Sequence, residues 1–192
     1  MKVTRQQAQA NRAHIVETAC ALFRERGYDG VGIADLMAAA GFTQGGFYKH
    51  FGSKADLMAE AASCGLTQSA ALATDASVND FVLHYLSREH RDNPASGCTM
   101  AALCADAARK EDAVRATFAA GIEAQLQALH SGEQTAGIAG DPQRAERLAV
   151  MAQMLGAIIL SRACPDDSPL ADEILAACRD SLLKSPMLRT LA

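Results

Sequence analysis

The chain is 192 residues long, 49% hydrophobic and carries a net charge of −4, which is enough apolar material to bury a real core in one small and one larger domain. The polar N-terminus shows no secretory signal, and no apolar run approaches the roughly 18–20 residues that cross a bilayer, which predicts a cytoplasmic protein with no membrane partner. Six cysteines without a short CxxC spacing indicate neither a zinc site nor a disulfide framework, and predict reduced thiols.

Apolar periodicity predicts an all-α protein of nine helices, at about 7–26, 32–40, 43–50, 53–73, 78–91, 98–109, 111–130, 142–163 and 169–185. In the second, Ile33, Leu36, Met37 and Ala40 share one side; Gly41 ends it, and Phe42-Thr43 lead into the third. Helix, glycine-containing turn, helix is the arrangement of a DNA-binding helix-turn-helix.

The third helix carries the most information. At α-helical spacing Phe47 and Phe51 share one face, while Gln44 with Tyr48 and Gly45 with Lys49 share the other. The adjacent glycines Gly45 and Gly46 cost about 1 kcal/mol each relative to alanine, and close approach of backbone to a ligand is the usual reason to keep them. Double-stranded DNA is the candidate. Thr43 is placed to cap the helix, Gln44 lies in the first turn where an amide pairs with adenine, and Tyr48 and Lys49 reach toward phosphates. Ser53-Lys54-Ala55-Asp56 opens the fourth helix with a capping-box pattern. A cation such as Lys54 in a first turn opposes the helix dipole unless an anion binds there, which makes it a further phosphate candidate.

Charge divides in the same sense. Residues 1–54 carry +3, with seven bases against four acids, and the remainder carries −7. The asymmetry points nucleic acid at the N-terminal end.

These residues resemble the N-terminal domain of the TetR/AcrR family of bacterial transcriptional regulators. The matching elements are Leu22-Phe23-x-x-x-Gly27-Tyr28, Ile33-Ala34-Asp35-Leu36-x-x-x-Ala40-Gly41, and Phe42-Thr43-x-Gly45-x-Phe47-Tyr48-x-His50-Phe51-x-Ser53-Lys54-x-x-Leu57. The resemblance implies a homodimeric, ligand-responsive repressor on a palindromic operator, with Thr43, Gln44 and Gly45 at the DNA and Tyr48, His50 and Lys54 on phosphates. Where the family usually opens its second helix with threonine or serine, this chain has Val31-Gly32, so that hydroxyl contact is absent; glycine is a tolerable N-cap. The implied division is a DNA-binding domain at 1–52 and an effector-binding and dimerisation domain at 53–192, the helix from Ser53 running into the second.

Beyond residue 57, Asn93-Pro94, the loop 131–140 and Pro165 break helices, while Asp141-Pro142 and Ser168-Pro169 start them. In the last two helices Leu148, Leu155 and Ile159, with the small residues Ala152 and Gly156 beside them and Ile174, Cys178 and Leu182 later, form apolar faces. In a family that dimerises through its final two helices these become the expected interface. Tyr85, Met100, Leu103, Phe118, Ile122 and Met154 are candidate pocket residues for an unidentified small-molecule effector, although such stripes, Leu129 included, usually pack as ordinary core. Cys98 follows Ser96-Gly97 at a predicted helix start, where the dipole favours thiolate, with Arg88, His90 and Arg91 upstream as cations; it is a candidate sensor of thiol-reactive compounds.

Catalysis is not expected, nor any cofactor. Ser181-Leu182-Leu183-Lys184 matches SxxK and His90-Arg91-Asp92 mimics the start of a kinase catalytic loop, but neither has its companion motifs. His84 and His90 lack the i, i+4 spacing of a helical metal pair. The competing reading is a helical small-molecule carrier or interaction protein that keeps the fold without regulating genes.

Overall fold

The computed structural model describes residues 4–74, 77–128 and 142–185, and among these all regular structure is helical. The α-helices are α1 (Arg5–Arg26), α2 (Ile33–Ala39), α3 (Lys54–Thr74), α4 (Val78–Tyr85), α5 (Arg88–Asp92), α6 (Thr99–Ala107), α7 (Asp112–Ala128), α8 (Pro142–Arg162) and α9 (Pro169–Lys184). Short 3-10 helices occupy Gln44–Lys49 and Pro94–Ser96. Leu129, the loop 131–140 and the expected cap Asp141 lie outside the described residues. The chain forms two compact units, one of residues up to Thr67 with Cys98–Gly121, the other of Gln68–Gly97 with the residues from Ile122 onward.

The expected helix 78–91 is two helices. Leu86, at φ −93° and ψ 46°, leaves helical geometry, and the Ser87 hydroxyl accepts the His90 N–H at 3.2 Å to start α5 afresh. Apolar spacing hid this break, because Val82, Tyr85 and Leu86 stay buried on either reading and only the N-capping serine marks it.

In the first unit α1 is capped by Thr4, whose hydroxyl accepts the Gln7 N–H at 3.1 Å, and it buries Ile15, Val16, Ala19, Cys20 and Phe23 along one face. Leu36 and Met37 of α2, Phe47, Phe51, and Leu57, Met58, Ala61, Ala62 and Leu66 of α3 are buried in the same unit. α1 ends at Gly27, with φ +72°, and a Cβ there would lie 2.7 Å from Oδ2 of Asp106 on α6. Conformation and space both demand glycine. The same Asp106 oxygen accepts the Tyr28 N–H at 3.0 Å, so the end of α6 holds the turn after α1.

In the second unit α8 and α9 pack together, with Val150, Met151, Met154, Ala157 and Ile158 of α8 and Ala171, Leu175 and Leu182 of α9 buried. Two arginines cap each other's helices. The buried Arg91 donates to the carbonyls of Ser161 (3.1 and 3.0 Å) and Cys164 (3.0 Å) at the end of α8, while Arg162 donates to the carbonyls of Arg91 and His90 (both 2.9 Å) at the end of α5. Helix C-termini expose carbonyls that a guanidinium satisfies while opposing the negative end of the dipole.

Candidate nucleic-acid interface

The helix-turn-helix is built by its turn. Gly32 is the N-cap of α2, as expected, in extended geometry and with no side-chain bond. At the other end Gly41, with φ +77°, allows the Phe42 N–H to reach the Met37 carbonyl (2.8 Å) and the Gly41 N–H to reach that of Ala38 (3.0 Å). This 6→1 and 5→2 pair is a Schellman stop, and it sends the chain directly into the next element.

That element is a 3-10 helix rather than the expected α-helix, and Thr43 stands before it in extended conformation without a side-chain capping bond. Six residues, two of them adjacent glycines, provide little α-helix to propagate, and the tighter turn suits so short a piece. The shared apolar face survives because the Phe51 N–H closes an α-type bond on the Phe47 carbonyl at 3.0 Å. Phe47 and Phe51 are 0% and 3% exposed, with ring centroids 5.5 Å apart.

Around these buried rings Thr43, Gln44, Gly45 and Lys49 are exposed, and Tyr48 is 69% exposed. His50 is half-buried, its ring 6.4 Å from that of Phe42. A Cβ at Gly45 would meet nothing within 4 Å, whereas one at Gly46 would touch only Met37 and Thr43 at ordinary contact distances.

Not every base of this region faces outward. The Arg12 guanidinium grips both carboxylate oxygens of Glu60 on α3, donates through Nε to the His50 carbonyl at 3.2 Å, and lies 4.7 Å over the Phe51 ring. It fastens the end of the 3-10 helix. Lys54 is half-buried and donates from Nζ to the Tyr28 carbonyl at 2.6 Å; burial lowers its pKa, with Asp29 acting in the opposite sense. The Lys54 cation in the first turn of α3 therefore has a partner within the chain that the sequence pattern did not reveal. The capping bond there is present, Asp56 N–H to Ser53 Oγ at 3.1 Å.

The description "Bacterial regulatory proteins, tetR family" matches residues 15–61, the segment just described. An uncharacterised HTH-type transcriptional regulator of Mycobacterium tuberculosis is 30% identical over 173 residues, covering 84% of this chain and 89% of that protein. The chain belongs to the TetR family. Membership makes it a helix-turn-helix transcriptional regulator of a non-enzymatic family. The regulator AcrR of Shigella flexneri is 40% identical over 57 residues, 30% of this chain but only 26% of AcrR. The crystal structure of reduced NemR from E. coli shares the fold at a TM-score of 0.67 and 22% identity, over 90% of this chain and 95% of that one.

The remaining residues singled out in this TetR-family chain divide between the two units. Cys98, Met100, Leu103 and Phe118 are buried in the first; Tyr85 and Met154 are buried and Ile122 half-buried in the second. The cations expected to serve Cys98 have other engagements. Arg91 holds α8, Arg88 pairs with Asp172 at 2.5 Å, and His90 sets Nδ1 2.7 Å from the Tyr85 carbonyl while burial lowers its pKa. On α8 Leu148 and Ile159 are 40% and 43% exposed, Ala152 is exposed, and Leu155 and Gly156 are half-buried. On α9 Ile174 and Cys178 are half-buried, but Leu182 is 2% exposed and packs inside its own chain. Among the described residues no helix is long and apolar enough to cross a membrane, and no cluster of His, Cys, Asp and Glu is arranged to hold a metal ion.

Proposed function

We propose that this TetR-family regulator is a homodimeric repressor that reads a palindromic operator with the face Thr43–Lys49 and releases it when a small molecule or thiol-reactive compound acts on residues 53–192. The observation that carries the reading is Gly45. Nothing in the fold fills the space a side chain would take there, so the glycine leaves the face open to close approach from outside the chain, and the exposed Gln44, Tyr48 and Lys49 surround that opening with hydrogen-bond donors. In this reading residues 1–52 bind DNA. Gln44 reads a base, Tyr48, Lys49 and His50 hold phosphates, and Lys54 adds a charge through the donors left beyond its Tyr28 bond.

One short helix reads few base pairs, and a twofold copy doubles the site. The uncovered side of α8, with Leu148, Ala152, Leu155, Gly156 and Ile159, joined by Ile174 and Cys178 of α9, is the proposed self-association surface. Met100, Leu103 and Phe118 with Cys98, and Tyr85, Ile122 and Met154, remain the candidates for responding to an effector. Its mechanism is population shift, the effector binding more tightly to a conformation that fits DNA poorly.

The test is retardation of DNA fragments enriched by the pure protein from genomic DNA. Binding that weakens with salt, and that Tyr48→Phe and Lys54→Ala weaken on every sequence, supports the reading. Absence of any enriched fragment favours a carrier or interaction protein instead.

A further inference from the structure

The first unit brings together two cysteines that the sequence leaves far apart. Cys20 of α1 is 3% exposed, Cys64 of α3 is half-buried, and their thiols are side-chain hydrogen-bond partners. The helices approach closely beside them because α3 carries glycine at 65. A Cβ there would lie 2.7 Å from the Cys20 sulfur and closer still to the hydroxyl of Thr99. The Arg24 guanidinium reaches the same notch, with Nη1 3.3 Å from that point. A pair of thiols not joined in a disulfide, one on a half-buried residue and the other in the core against it, is the arrangement in which oxidation of the first is resolved by the second.

We propose that Cys20 and Cys64 are a redox pair that a peroxide closes into an intramolecular disulfide, bracing α1 against α3. Cys64, the more exposed of the two residues, attacks the peroxide: an S–O bond forms, the O–O bond breaks, and the departing hydroxide leaves as water with the thiol proton. The Cys20 sulfur then attacks the sulfenic sulfur; an S–S bond forms, the S–O bond breaks, and a second water carries off the Cys20 proton. Two thiols and one hydrogen peroxide thus become one disulfide and two waters. Cys20 is 3% exposed, which keeps oxidant from it; burial pushes its thiol up to about 11, with Arg24 pulling the other way, so it gives up its proton only as it attacks the sulfenic sulfur beside it.

The chemistry is independent of any DNA or effector, so its failure leaves the regulator reading intact, and the converse holds. The experiment treats the reduced full-length protein with equimolar hydrogen peroxide, alkylates the remaining thiols after denaturation, and maps peptides without reduction. The expected result is a monomer lighter by two hydrogens with Cys20 and Cys64 in one linked peptide, a raised thermal midpoint, and reversal of both by dithiothreitol. Cys64→Ser, at a half-buried position, is expected to abolish the link and leave Cys20 alkylated. Cys20→Ala is expected to leave Cys64 as a sulfenic acid that dimedone traps. Alkylation of both cysteines in the peroxide-treated wild type, a link to any other cysteine, or a link between two chains overturns the proposal.

Discussion

In the first unit the exposed face around the 3-10 helix is polar and bears a glycine, with Gln44, Gly45, Tyr48 and Lys49 standing over the buried Phe47 and Phe51. In the second the exposed side of α8 is aliphatic, with Leu148, Ile159 and Leu160 at 40%, 43% and 59% exposure. Both faces lie on segments that also bury apolar side chains, Phe47 and Phe51 in the first and Val150, Met154 and Ile158 in the second. What differs is the chemistry left uncovered. Donors around an open glycine suit a charged, close-approaching backbone, whereas a strip of leucine, isoleucine and small residues suits another apolar surface.

Substitutions that break each face separately sharpen that contrast. The largest effect is expected from Phe47→Ala, which empties a fully buried site and costs about 3–5 kcal/mol; thermal unfolding should show it, and a change below about 1 kcal/mol would mean the 3-10 helix is not anchored by that ring. Ile159→Glu places a charge on the aliphatic strip. Sedimentation should show dimer weakened by roughly a hundredfold with the fold intact, about 3 kcal/mol of association. Gly45→Ala is expected to raise thermal stability by up to about 1 kcal/mol, since nothing occupies the space, while weakening operator binding by roughly tenfold. Equal binding by that variant would remove the argument from the glycine.

The smallest effect concerns pH. Burial lowers the pKa of His90 below its ordinary 6.5, so the unfolded chain binds the proton more readily than the folded one. Its contribution is therefore complete above the unfolded value and is lost as pH falls below 6.5. Chemical denaturation between pH 7 and pH 5 should show this decline, and His90→Gln should flatten it; an equal slope in the variant would assign the decline to other groups.

The helix-turn-helix was legible because its signals are local: Gly41 at the Schellman stop, the Ser53–Asp56 cap, and phenylalanines at 47 and 51. The exposed Gln44, Tyr48 and Lys49 followed from the same spacing. What spacing did not carry was contact across the chain. The Lys54 bond to the Tyr28 carbonyl, the Arg12 clasp on Glu60 and His50, and the Asp106 hold on Tyr28 each join residues on separate elements. The period of one helix is silent about them. The break at Leu86–Ser87 was missed for the opposite reason, since both sides of it bury the same kind of residue. Leu182 shows the limit of an apolar stripe, which marks burial without saying whether the cover is its own chain or another.

Whether the Thr43–Lys49 face reads duplex DNA is decided by measuring affinity for the enriched palindrome and for a scrambled duplex, in wild type and Gln44→Ala, across a salt series. A DNA-reading face at Thr43–Lys49 gives a steep loss of wild-type affinity with salt and a preference for the palindrome that Gln44→Ala narrows by roughly tenfold or more, with little change on the scrambled duplex. Equal losses on both duplexes, or wild-type affinity indifferent to salt, would contradict it.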